Sequence, residues 1–173
     1  MLNPNTLLTM NTKYISLIAC IISLIFCCKS SMSQVVSPLA NTNYYIIHSS
    51  GSVIGENASD GHGAIQAVTG NNNQMMQFIA DGTGYYSIKM VGQTKYLSLS
   101  GSWNTSFVTS ASTDEAKFAI EKVSSVFVII KCKANGKCLG TDNVTAGSSL
   151  FADKTGTDSK HYWFISTQYT TCL

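Results

Sequence analysis

The residues best suited to hold a ligand lie in the last third of the chain. Asp142-Asn143, Asp153-Lys154 and His161-Tyr162 set carboxylate acceptors beside amide, ammonium and imidazole donors and a phenol ring. Trp103-Asn104, further upstream, adds an indole in a polar loop. A hydroxyl-rich ligand needs this mix: a planar acceptor, a few donors and an aromatic platform, all set on rigid turns. An exposed Trp103 would serve as that platform; packed under its loop it would be structural. Glu56-Asn57 stands in the first third where Thr141-Asp142 stands in the last.

The same inventory does not suit catalysis. His48, His62 and His161 fall near a strand end or in loops, and none sits in a nucleophile elbow or a zinc motif. They read as polar surface groups. The aspartates are dispersed through turns, and nothing selects a glycosidase pair among them. No glycine loop cradles a phosphate. An enzyme is not expected, nor a metal or cofactor.

What must position these residues is a repeat. Aromatic openings recur at Tyr45, Tyr86 and Phe127, spaced by 41 residues each time. A second strand recurs as Val53-Ile54-Gly55, Tyr96-Leu97-Ser98 and Cys138-Leu139-Gly140. A closing strand recurs around Phe78, Phe118 and Trp163. The segments are rich in Tyr, Phe, Val, Ile and Thr, and Gly, Asn, Asp and Ser fill the gaps. No segment after residue 34 has a helical apolar period. A propeller needs at least four such units, whereas three suffice for a β-trefoil. The expectation is an all-β chain: a β-trefoil of three ~41-residue, four-stranded repeats over 43–166, preceded by a signal segment.

The ends of the chain read differently. Residues 1–33 combine Lys13, an apolar run from Ile15 to Cys28 and a small-residue site at Ser31-Met32-Ser33, the pattern of a cleaved signal peptide. That run is short for a membrane span. A lipid anchor on Cys27 or Cys28 and an uncleaved membrane anchor are the weaker alternatives. Residues 34–42 form a linker and 167–173 a polar tail. From Gln34 onward nine Lys face nine Asp or Glu, with no Arg. Near-neutral charge argues against nucleic acid and against a polybasic membrane patch. A secreted or periplasmic location follows.

Cys132 and Cys138 flank the turn between the first two strands of the third copy. A hairpin would set them opposite each other, and export would favour a disulfide worth roughly 2 kcal/mol. The alternative is two thiols on opposite sheet faces. Cys172 is left odd.

Asn135-Gly136-Lys137-Cys138-Leu139 resembles the strand-turn-strand signature of the ricin B-type lectin family, in which a glycine turn leads to Cys-Leu and then a sugar-contacting Asp. Thr141 to Ser148 and Asp153-Lys154 leading to His161-Tyr162-Trp163 are similar to the trefoil modules appended to bacterial glycoside hydrolases. The resemblance spans about 43–166 and is specific in the last third. It implies a β-trefoil that binds carbohydrate, with Asp142 as the acceptor. The family's Gln-x-Trp motif is absent from all three copies, and Gly140-Thr141 displaces the Asp that should follow Cys-Leu. Two other functions stay open: a protein-binding trefoil such as a protease inhibitor, docking through the Asp153–Ser159 loop, and a surface adhesive protein.

Overall fold

The computed structural model describes residues 37–155 and 158–169. The signal segment with Cys20, Cys27 and Cys28, linker residues 34–36, and tail residues 170–173 with Cys172 lie outside the described residues.

Twelve strands form among the described residues: β1 (Tyr45–His48), β2 (Val53–Glu56), β3 (Gly63–Gln66), β4 (Met76–Ala80), β5 (Tyr86–Met90), β6 (Tyr96–Ser100), β7 (Asn104–Val108), β8 (Phe118–Lys122), β9 (Val128–Cys132), β10 (Cys138–Gly140), β11 (Phe151–Lys154) and β12 (Trp163–Ser166). The only helical segments among them are 3-10 turns at Asn72–Gln74, Asp114–Ala116 and Ser159–His161. None is long or apolar enough to cross a membrane. The order strand, strand, strand, 3-10 turn, strand thus occurs three times.

Six strands close on themselves. β12 pairs β1, β4 pairs β5, and β8 pairs β9 over four or five residues each. Single bridges join the three pairs into a ring: Tyr44 to Met76, Tyr86 to Phe118, and Val128 to Trp163. The hairpins β2–β3, β6–β7 and β10–β11 meet one another through His62–Ser106, Ala64–Ser149 and Phe151–Asn104. Every described strand therefore finds partners on both sides or is covered by a neighbouring hairpin, which removes open sheet edges.

The three bridges correct the alignment expected from the openings. Tyr44, Tyr86 and Val128 are the equivalent residues, not Tyr45, Tyr86 and Phe127, so each step is one residue longer. A one-residue shift exchanges the two faces of a strand. Tyr44 and Val128 belong to the core and Tyr86 packs against it. Tyr45 instead meets Tyr169 edge-on, and Phe127 stacks on Tyr162. The closing position likewise falls on Met76, Phe118 and Trp163, each fully buried, rather than on Phe78.

Ile46, Ile54, Ile65, Ile88, Leu97, Ile130, Leu139 and Ile165 fill the centre around those residues. The Trp163 indole N–H donates to the Leu139 carbonyl at 2.9 Å, so the largest core side chain buries no unpaired donor. Past Ser166, Tyr169 donates its hydroxyl to the Gly51 carbonyl at 3.1 Å.

No disulfide joins Cys132 and Cys138; both are free, buried thiols. The register explains this. Cys138 lies opposite Lys131, not Cys132, so the two side chains take opposite faces of the sheet. Cys132 faces the core, and burial pushes both thiols above the usual range.

Candidate functional site

The turn at Asn135-Gly136 starts the third hairpin. Gly136 has a φ of 66°, a left-handed conformation that glycine takes without steric cost. The Asn135 side chain accepts from the Lys137 N–H at 2.9 Å and donates to the Ala152 carbonyl at 2.8 Å, fixing the turn against β11. The chain then pairs β10 with β11, but not evenly. Cys138 faces Lys154 while Leu139 faces Ala152, leaving Asp153 as the extra residue of a bulge. Bulges re-aim side chains and recur beside functional sites.

Around this bulge the structure brings four of the seven expected residues together. Asp142 is exposed on the loop after β10. Its Oδ1 accepts from Lys154 Nζ at 3.2 Å and from Lys160 Nζ at 3.3 Å. The Lys154 ammonium, then that of Lys160, holds the Asp142 carboxyl below the usual carboxylate range. Asp142 in turn raises Lys154. The side chain of Asp153 is only 17% exposed, with Oδ2 at 4.0 Å from Lys154 Nζ and Oδ1 at 4.0 Å from His161 Nε2. Neither distance is a hydrogen bond, and Asp153 Oδ1 is buried without a partner.

His161 is the floor of the cluster, not a surface group as the sequence suggested; its side chain is 4% exposed. Its Nδ1 meets Asp158 Oδ1 at 2.8 Å, and that contact depresses the Asp158 carboxyl first among several causes. The imidazole lies against Gly140. A Cβ there would come within 2.5 Å of the ring and 2.9 Å of the Lys160 carbonyl. Gly140 is thus required by the ring, which accounts for the glycine after Cys138-Leu139. His48 is buried as well, with Nε2 at 3.2 Å from the Lys160 carbonyl and its ring edge-on to Trp163. Burial lowers its pKa.

The other three expected residues are placed apart or turned to other work. The Asn143 side-chain oxygen accepts from the Thr145 N–H and hydroxyl at 3.1 and 2.9 Å, which shapes the loop beside Asp142. Tyr162 stacks on Phe127 at 5.8 Å between centroids. Trp103 is 57% exposed at the β6–β7 turn. Its carbonyl accepts from the Ala152 N–H at 2.7 Å, so its backbone abuts β11 one residue from Asp153.

Lys160 and Asp158 belong to the cluster and were not singled out from the sequence. The signal was present in Asp158-Ser159-Lys160-His161. The Asp158 side chain accepts from the Lys160 N–H at 3.0 Å as the cap of a 3-10 turn. No group of three or more potential metal ligands occurs among the described residues.

Gln74 and Met76 occupy in the first set the places of His161 and Trp163 in the third.

No protein-family model matches the chain. No curated protein matches it either. Solved structures do. A designed three-fold symmetric protein, ThreeFoil, superposes with a TM-score of 0.67 at 17% identity, covering 72% of this chain and 97% of its own. The BEL β-trefoil gives 0.65 at 15% identity, covering 75% and 94%. SeviL, solved bound to asialo-GM1 saccharide, gives 0.59 at 19% identity, covering 72% and 95%. The likeness is one of fold: the described strands form a β-trefoil.

Proposed function

We propose that the chain is a carbohydrate-binding, lectin-like trefoil of three equivalent four-stranded units, and that its site is the third hairpin and the 3-10 turn beneath it. One observation carries the reading. Asp142 is an exposed carboxylate whose Oδ1 is held by two ammonium groups, while no hydrogen bond engages its Oδ2 among the described residues. A planar acceptor fixed in orientation and open on one edge matches a pair of sugar hydroxyls. Lys154 and Lys160 keep donors to spare, since an ammonium carries three. The Asn143 amide N–H2 adds two more. Asp153, half-buried and aimed by its bulge, supports the floor through the charges around it.

The reading makes the protein a binder without chemistry of its own and acting outside the cytoplasm. The solved neighbour that carries a saccharide supports it through fold alone. Single-site affinity should be weak, near millimolar, because a shallow polar site trades hydrogen bonds with water. A glycan array with the parent chain and Asp142→Ala tests it. Binding by the parent that the variant loses supports the reading. An unchanged glycan profile in Asp142→Ala overturns the site, and an empty array for both overturns the function.

A further inference from the structure

A second polar recess shares no residue with that cluster. A groove of about 560 Å³ lies between the β5–β6 turn and the end of β7, lined by Lys89, Gly92, Gln93, Thr94, Lys95 and Thr109. Its lining contains no aromatic or branched aliphatic side chain, so the apolar face of a neutral sugar finds no platform there.

Charge in the groove is unbalanced. Ile88 and Met90 of β5 face the core, which leaves Lys89 on the outer face between Gln77 and Tyr96. Lys89 is half-buried and has no carboxylate partner among the described residues. Lys95 is held differently. Its Nζ meets Glu56 Oε1 and Oε2 at 2.6 and 2.7 Å. That pair fixes the Lys95 ammonium and uses two of its three protons, leaving one for a ligand. The groove thus carries two ammonium groups beside the one Glu56 carboxylate, which pairs with Lys95 alone. The surplus positive charge suits an oxyanion, and the Gln93 amide and the Thr94 and Thr109 hydroxyls can pair with hydroxyls around it.

We propose that this groove binds the oxyanion of an acidic saccharide, either a uronate carboxylate or a sulfate ester. The anion follows from the groove alone, and the saccharide rests on the lectin reading. The threonine hydroxyls and the amide pair with the sugar hydroxyls that flank the charge. Lys89 is the specificity-determining residue, because it is the cation that Glu56 does not neutralise.

Amide and lysine side-chain NMR of the full chain tests both parts. The titrants are inorganic sulfate, a sulfated oligosaccharide, an oligouronate and a neutral oligosaccharide of matched length. Shifts at Gly92–Lys95 and Lys89 with the charged titrants and none with the neutral one are expected. Lys89→Gln should weaken charged binding roughly 2- to 5-fold, the scale of an exposed ion pair. Glu56→Gln should strengthen it by a similar factor, since it frees Lys95. Thr109→Val, which changes no charge, should weaken the saccharides but not inorganic sulfate. Raising salt should weaken all charged binding. Equal response to neutral and charged sugars, or insensitivity to both charge variants, overturns the proposal. Binding of inorganic sulfate without either acidic saccharide overturns its saccharide part alone. None of these outcomes depends on Asp142, so failure here and failure of the third-hairpin site are separable.

Discussion

The first and third hairpins share one backbone and solve its floor in opposite ways. Beneath the first, Gln74 is fully engaged. Its Oε1 accepts from the Thr69 N–H and hydroxyl at 2.8 and 3.0 Å, and its Nε2 donates to the Ala67 carbonyl at 2.7 Å and to Gln66 Oε1 at 3.3 Å. Gln66 donates onward to the Glu56 carbonyl at 2.6 Å. Beneath the third, His161 engages Asp158 at one nitrogen and stands 4.0 Å from Asp153 at the other. The first floor is a closed amide network. The third keeps a buried carboxylate oxygen unpaired and an exposed carboxylate above it. The second hairpin has Val108 and Ala116 at the matching places and offers little polarity. Closed networks rigidify and half-satisfied ones are costly, so the unpaired Asp153 oxygen leaves the third floor the less satisfied of the two.

Substitutions at the matched glycines should separate the two floors most strongly. Gly140→Ala drives a methyl into the buried His161 ring and the Lys160 carbonyl. It should cost about 3 kcal/mol, seen as a fall in Tm of several degrees. In Gly55→Ala the obstructing atoms are the terminal amide of Gln66, which can turn aside by giving up its hydrogen bonds to the Glu56 carbonyl and Gln74, so the cost should be nearer about 2 kcal/mol. Equal losses would mean that the Gln66 amide yields no more readily than the His161 ring.

The next effect comes from opening the closed floor. Gln74→Ala strips the partner from the Thr69 and Ala67 backbone groups and should destabilise by about 2 kcal/mol in denaturant unfolding. The reciprocal exchange, His161→Gln, should cost less than about 1 kcal/mol, because an amide can reach both flanking acceptors. It should nevertheless reduce saccharide affinity by capturing Asp153. Full affinity in His161→Gln would remove Asp153 from the site.

A smaller effect is set by pH. His48 spans the two regions, with Nδ1 at 2.9 Å from Ser50 Oγ and Nε2 on the Lys160 carbonyl. Its folded pKa is depressed, chiefly by burial. The unfolded chain therefore binds the proton more readily, and the stability from neutral His48 is whole above about pH 6.5 and drains as pH falls through the lower folded value. Tm measured between pH 7.5 and 5 should decline in the parent, and His48→Gln should flatten part of that decline. The smallest effect is on the thiols. Reductant should leave Tm unchanged, because Cys132 and Cys138 are unjoined; a fall would restore the disulfide.

The all-β class and the scarcity of helices were legible in the sequence, because aromatic and β-branched runs broken by Gly and Asn leave little else to build. The positions of the openings were not. Tyr44-Tyr45, Tyr85-Tyr86 and Phe127-Val128 each offer two apolar neighbours, and only the bridges decide which one faces inward. The same one-residue ambiguity made Cys132 and Cys138 look like partners. In the site, Asp142, Lys154 and His161 were legible as residue types on turns. The bulge that re-aims Asp153 was not, since it arises from pairing register rather than from any local preference. Nor was the burial of His161, which follows from a glycine two strands earlier in the chain.

The central claim is that the third hairpin, and not the first, receives a sugar. Titrating the isotope-labelled chain with a panel of neutral saccharides, followed by backbone amide NMR, tests it most directly. Shifts at Asp142, Asn143, Asp153, Lys154 and Lys160, with Asn57, Gln66 and Gln74 unmoved, are predicted. Saturating shifts centred on Gln66 and Gln74, or none anywhere on the panel, would contradict it.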